Sequence, residues 1–180
     1  MRVSRLETGA ITRITQGAFQ YCRSLAAVSL PVCSYVGSYA FQYCRSLTAV
    51  SLPACTTVGS FAFYNCISLT TVSLPACTTV GGYAFQDCSA LATVSLPVCT
   101  SVSGSAFQRC YSLVSLYLTS VSRVPTLGLS VFSSTPIGGY SASAGQYGSV
   151  YVPASLYDQF LSATGWSSIS ARIVSVDSEP

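Results

Sequence analysis

The chain is written on a 22-residue period. Ala18-Phe19 returns as Ala40-Phe41, Ala62-Phe63, Ala84-Phe85 and Ala106-Phe107. Three residues after each Phe comes a cysteine: Cys22, Cys44, Cys66, Cys88 and Cys110. A second series, Cys33, Cys55, Cys77 and Cys99, falls midway, so all nine cysteines lie on one 11-residue ruler. Few folds accept such a sequence. One unit of this length cannot bury its own apolar residues, whereas stacked units bury them against their copies.

Within one unit, Leu25-Ala26-Ala27-Val28-Ser29-Leu30-Pro31-Val32-Cys33 follows the leucine-rich-repeat pattern L-x-x-L-x-L-x-x-N/C, and copies start at Leu47, Leu69, Leu91 and Leu113. Val28 and Leu30 alternate with Ala27 and Ser29, the period of a short strand with one buried face. Pro31 ends that strand because it has no N–H to donate. Val36, Ala40, Phe41 and Cys44 supply the apolar side of a return leg, and Gly37, Gly59 and Gly81 mark its turn. The expected fold is an α/β repeat solenoid. It is a right-handed superhelix of 22-residue coils, with a parallel sheet on one face and a helix-and-strand cap at the C-terminus.

The organisation reads as one domain. Residues 1–24 form a truncated first coil, in which Leu6 can replace Val28 but Thr8 stands in the place of Leu30. Four regular coils occupy residues 25–112, and residues 113–148 make an irregular last coil. From Leu116 to Val150 the step is 34 residues, and the 12 extra ones are expected as a loop within Ser130 to Gly148. Residues 149–180 form the cap and tail. The cap comprises an amphipathic helix over Ala154 to Thr164 stopped by Gly165, with Trp166 over the end of the core and a closing strand over Ala171 to Val176.

The repeated Leu-Pro, Val-Gly-x-x-Ala-Phe and Phe-x-x-Cys-x-x-Leu segments resemble the BspA-like leucine-rich repeat family of bacterial and protist surface proteins. So does Val150-Tyr151-Val152-Pro153 followed by Gly165-Trp166, and the resemblance spans roughly residues 11 to 176. It implies a surface-displayed or secreted interaction module, since members are linked to adhesion to host proteins and other bacteria. It implies no catalytic residues and no cofactor.

Nine cysteines raise the questions of disulfides, metal and catalysis. Stacked strands run about 4.8 Å apart, and in-register side chains hold Cβ atoms too far apart for the ~3.8 Å of a disulfide. The cysteines are therefore expected as free buried thiols that act as small core residues. A spacing of 11 without histidine gives no tetrahedral metal site. A nucleophilic cysteine needs a partner base, and the chain has no histidine to serve. Asp87 and Asp158 are far apart in sequence, and Glu7, Asp177 and Glu179 lie near the ends, so no acid pair is expected. The chain is read as a non-enzyme.

Only 7% of residues are charged, and the net charge of +3 comes from eight arginines and five acids. Arg2, Arg5, Arg13, Arg23 and Arg45 are too sparse for nucleic-acid binding, which needs a dense basic patch. Although 50% of the chain is hydrophobic, Ser and Thr interrupt every apolar run well short of the ~18 residues of a membrane span. The first 25 residues show no basic segment leading into an apolar one, so no signal peptide is expected and the chain reads as part of a larger surface protein. The open first coil would pair with a second copy or continue into a longer chain.

Three surfaces qualify as binding candidates. Tyr39, Phe61 and Tyr83 share one repeat position just before each Ala-Phe, and their alternation with buried neighbours leaves them partly exposed. Tyr117 and Tyr151 stand out on a strand face otherwise made of Ala, Ser and Thr. Tyr21 and Tyr43 beside Arg23 and Arg45 form a third patch. A Thr row (Thr56-Thr57, Thr78-Thr79, Thr100-Ser101) suits a solenoid turn better than ordering of ice-like water. The expected partner is a protein or a glycan. The alternative is a spacer with no ligand of its own.

Overall fold

Each coil opens with a strand because the alternation of Val with Ala, Ser or Thr points one side chain inward and two outward. The computed structural model describes residues 4–7, 10–139 and 145–177. The strands β1 (Arg5–Glu7), β3 (Ala27–Ser29), β5 (Ala49–Ser51), β7 (Thr71–Ser73), β9 (Thr93–Ser95), β11 (Ser115–Tyr117), β13 (Ser149–Pro153) and β14 (Ile173–Val176) line one face, all pairing in parallel. The register is the repeat itself: Leu6 faces Val28, Val28 faces Val50, Val72 faces Val94 and Leu116 faces Val150. Among the described residues the ladder is interrupted once, between β5 and β7.

The first coil is more complete than its sequence indicates. β1 forms, and Leu6 takes the place of Val28. One inward side chain and a free backbone edge suffice for a strand, so the missing Leu30 counterpart does not prevent it. Thr8 itself lies outside the described residues.

The parallel sheet expected on one face is present, and a second sheet joins it. Six two-residue strands, β2 (Arg13–Ile14), β4 (Tyr35–Val36), β6 (Thr57–Val58), β8 (Thr79–Val80), β10 (Ser101–Val102) and β12 (Thr126–Leu127), form a second parallel sheet on the return legs. Two residues carry too little alternation to be read as a strand. Gly37, Gly59 and Gly81 sit just after these strands, and none has a positive φ. A Cβ on Gly59 would lie 2.6 Å from Ser38 N, and one on Gly81 2.6 Å from Ser60 N. These glycines serve close approach of successive backbones rather than a turn conformation.

The core is a set of columns. Leu69, Val72, Leu74, Cys77, Val80, Ala84, Phe85 and Cys88 of one coil are all buried, and each lies over its copy in the next. Phe19, Phe41, Phe63, Phe85 and Phe107 stack at 5.2–5.5 Å, with planes within 13°. Offset stacking of this kind adds about 0.5–1.5 kcal/mol per pair beyond the area buried.

The extra residues of the last coil fall in two places. Phe132 stacks on Phe107 at 6.2 Å and stands 25 residues after it, so three of the twelve precede Phe132 and nine follow. Val131 and Phe132 are buried in the Ala-Phe position, so the expected loop over Ser130 to Gly148 starts inside the core; residues 140–144 lie outside the described set. The cap follows its expected outline with shifted bounds. A 3-10 turn (Ala154–Leu156) leads into α1 (Tyr157–Ser162), and a second 3-10 segment (Ser167–Arg172) takes the first residues assigned to the closing strand, β14. Phe160 and Trp166 are fully buried, and Trp166 Nε1 donates to Pro125 O at 2.7 Å. No helix among the described residues is long and apolar enough to cross a membrane.

Candidate functional site

Reactive thiols would define an active site, and the cysteines form two columns along the solenoid. All nine cysteines are free. Cys33, Cys55, Cys77 and Cys99 donate to the carbonyl two residues on, at 3.3–3.4 Å. Cys44, Cys66, Cys88 and Cys110 donate instead to the Phe carbonyl of the preceding coil, at 3.0–3.2 Å. Burial pushes the thiols of Cys44, Cys77 and Cys88 up to about 12 and that of Cys55 to about 11. A nucleophile needs a thiol shifted downward, so Cys44, Cys55, Cys77 and Cys88 are structural. No group of His, Cys, Asp and Glu among the described residues could hold a metal ion. The Thr row is structural as well: Thr56, Thr78 and Thr100 donate to the carbonyls of Ser34, Thr56 and Thr78 in the preceding coils, at 3.0–3.2 Å.

The aromatic row is continuous. Tyr39 stacks on Phe61 at 5.1 Å and Phe61 on Tyr83 at 4.7 Å, with planes within 8°. Tyr39 and Phe61 are half-buried, and Tyr83 is 40% exposed. All three residues hold a left-handed backbone, with φ of 61°, 58° and 60°. Coil geometry imposes this conformation, since Gly17, Ser105 and Ser130 at the same register also have φ of 57–65°. Glycine accepts it freely, whereas bulky residues are strained there by about 1–2 kcal/mol. Three successive coils thus carry an aromatic ring where the backbone favours glycine.

A neighbouring pair extends the row. Tyr21 and Tyr43 stack at 5.0 Å, again on left-handed backbone. Tyr64 joins the two rows, meeting Tyr43 edge-on at 5.4 Å and Phe61 at 5.9 Å. Sequence reading passed over Tyr64. Its signal was the repeat position, which holds Gln20, Gln42, Gln86 and Gln108 in other coils. Burial, then the Asp87 charge and its hydrogen bond, raise the Tyr64 hydroxyl above its ordinary value. Asp87 also faces Arg109 at 3.6 Å, and Arg45 lies over Tyr43 at 5.8 Å while donating to Asn65 at 3.1 Å. Six rings therefore share one surface with a charged margin.

Tyr117 and Tyr151 stack at 4.6 Å on the outer face of β11 and β13. No ring contact among the described residues connects them to the row of Tyr39, Phe61 and Tyr83. The rest of that strand face, including Ala27, Ser51, Thr71 and Ser95, is partly or fully exposed and uncharged from β3 onward, while β1 adds the exposed Arg5–Glu7 ion pair at 2.8 Å.

Parallel strands on two faces, one repeat per coil and a capped C-terminal end define a leucine-rich-repeat solenoid. The chain belongs to the BspA-type family of such proteins: the model of the BspA type leucine rich repeat region matches in six copies over residues 12–137. No curated protein matches it. A leucine rich cell surface protein from Faecalibacterium prausnitzii superposes with a TM-score of 0.59 at 23% identity, covering 80% of this chain and 53% of that one. The chain thus spans about half the length of that protein. A leucine rich repeat protein of T. pallidum gives a TM-score of 0.54 at 27% identity, covering 74% of this chain and 77% of its own.

Proposed function

We propose that the chain is a non-enzymatic interaction module of a bacterial surface or secreted protein, and that it binds a protein or glycan partner through the Tyr39, Phe61 and Tyr83 row. One observation carries the reading: three consecutive rings are kept half-open on a strained left-handed backbone. The coil imposes the left-handed backbone but not the rings, and side chains held in such sparsely populated conformations cluster at functional sites. Aromatic residues also supply much of the energy at interfaces, because their rings offer large rigid contact area. Tyr21, Tyr43 and Tyr64 widen this surface, and Tyr117 with Tyr151 forms a smaller second patch. Family membership and the F. prausnitzii cell surface protein support display outside the cell. Inert thiols and the absence of histidine support a module without catalysis.

The test is binding of the labelled chain to arrayed extracellular-matrix proteins and glycans. Saturable binding is expected, with at least a tenfold loss in a folded Tyr39→Ala, Phe61→Ala, Tyr83→Ala variant, roughly 1.4 kcal/mol or more. A folded chain that binds nothing on the array would overturn the proposal and leave the spacer reading.

A further inference from the structure

The aromatic row stops at a gap. Coil after coil, the residue at this register donates its N–H to the following coil: Gly17 to Ser38 O, Tyr39 to Ser60 O, Phe61 to Gly82 O. Gly17 therefore occupies the next step of the stack beyond Tyr39, but it brings no ring. One face of Tyr39 is covered by Phe61, and among the described residues no other ring contacts it. Its other face borders an open cavity of about 630 Å³ lined by Gln16, Gly17, Gln20 and Tyr39. That volume falls within the usual range of small-molecule sites, roughly 300–1,000 Å³.

The cavity's chemistry is specific. No charged side chain lines it. Gln20 donates through Nε2 to Gln42 Oε1, which fixes its carboxamide and turns its own Oε1 toward Gly17. A Cβ placed on Gly17 would meet only that oxygen, at 3.7 Å. The exposed Gln16 brings a second carboxamide. The site thus pairs one open aromatic face with amide donors and acceptors at its rim.

We infer that this gap is a subsite for one pyranose ring of a neutral glycan, with the sugar continuing the stack over Gly17. This rests on the interaction-module reading above. A pyranose has C–H groups on its face and hydroxyls around its edge. It can cover Tyr39 while donating to Gln20 Oε1 and exchanging hydrogen bonds with Gln16. A purely apolar ring from a protein partner would cover Tyr39 equally but would desolvate the Gln20 oxygen without replacing its hydrogen bond. An anionic ligand would find no cation in the lining.

The test is an NMR titration of the chain with a β-linked glucose tetramer and an N-acetylglucosamine tetramer, with a proline hexapeptide in parallel. Saturable shifts of the Tyr39 ring and the Gln20 carboxamide are expected with at least one sugar. Gly17→Tyr would complete the stack with the chain's own ring. Its backbone there, φ 65°, matches the 61° that Tyr39 already holds. This variant is expected to abolish the sugar shifts while keeping the native spectrum elsewhere. Gln16→Ala, at an exposed position, is expected to weaken binding about fivefold to tenfold, the loss of one hydrogen bond. If Gly17→Tyr does not fold, Gln16→Ala carries the test. Shifts with the peptide alone, sugar shifts unchanged in either folded variant, or no shift with any probe would overturn the subsite. Array binding that the row substitutions abolish but Gly17→Tyr leaves intact would overturn the subsite while the interaction module stands; no binding in either assay would remove both.

Discussion

A ring at φ near +60° works against its own backbone, and Phe61 shows how to measure that cost. Its φ is 58°, between stacked neighbours at 5.1 and 4.7 Å. Both Phe61→Ala and Phe61→Gly remove the stack, but only alanine keeps a Cβ in the left-handed conformation. The glycine variant is expected to be the more stable by about 1 kcal/mol, the reverse of glycine's usual penalty. Denaturant midpoints decide it, and an alanine variant at least as stable as the glycine one would show that position 61 is not left-handed in solution. At this scale the sequence was half legible. Period and alternation pointed to Tyr39, Phe61 and Tyr83 as partly exposed, because side-chain direction follows the repeat. Their backbone was not legible, since neither Tyr nor Phe signals positive φ; the clues were Gly17 at the same register and Asn65 at the register of Tyr43.

The strands show which patterns carry information. Ala27-Val28-Ser29 and its copies read as strands because three residues suffice to show alternation, whereas Tyr35-Val36 does not, so the second sheet emerged only in the structure. Phe160 was legible from amphipathic spacing and Trp166 from its place just past the helix-stopping Gly165, but the 3-10 segment before β14 was not, because its Ser-rich sequence carries no period. The break between β5 and β7 has no sequence signal either. There Val50 is only half-buried, whereas Val28, Val72 and Val94 are buried. Leu30, Leu74 and Leu96 donate to Ser51, Ser95 and Tyr117 at 2.9–3.0 Å, and the equivalent bond from Leu52 to Ser73 is missing from this series. Local opening is easiest where backbone bonds are fewest. The Leu52 amide is therefore expected to exchange with solvent at least tenfold faster than those of Leu30, Leu74 and Leu96. Equal protection at all four would show that the ladder runs unbroken in solution.

For the whole molecule, the cysteine columns are the feature with the largest pH consequence. They run the length of the core, and the burial of all but the half-buried Cys22 was legible because a cysteine at every eleventh residue can only be a column. The cavity over Gly17 was not legible, because a missing ring is visible only once the stack is built. Stability in a solenoid is a sum over coils, so a modest effect repeated in each coil becomes large. Here the repeated effect is thiol burial. An ordinary thiol loses its proton near 9.0, while Cys44, Cys77 and Cys88 in the folded chain hold theirs to about 12. Below pH 9 both states are protonated and the stability is complete. Between pH 9 and 12 the unfolded chain releases protons that the folded chain keeps, so stability falls with rising pH. Each thiol contributes about 1.4 kcal/mol per pH unit in that window. At pH 10.5 these three alone remove about 6 kcal/mol, comparable to the entire stability of a typical domain, about 5–15 kcal/mol. Urea titrations from pH 7 to 10.5 are expected to show a flat plateau to about pH 8.5, then a steep loss ending in cooperative unfolding. In Cys88→Ala the slope above pH 9 should lessen by one proton's worth. A slope unchanged by that substitution, or a stability that stays level to pH 10.5, would mean that water reaches the columns and that the coils breathe apart far more readily than their packing implies.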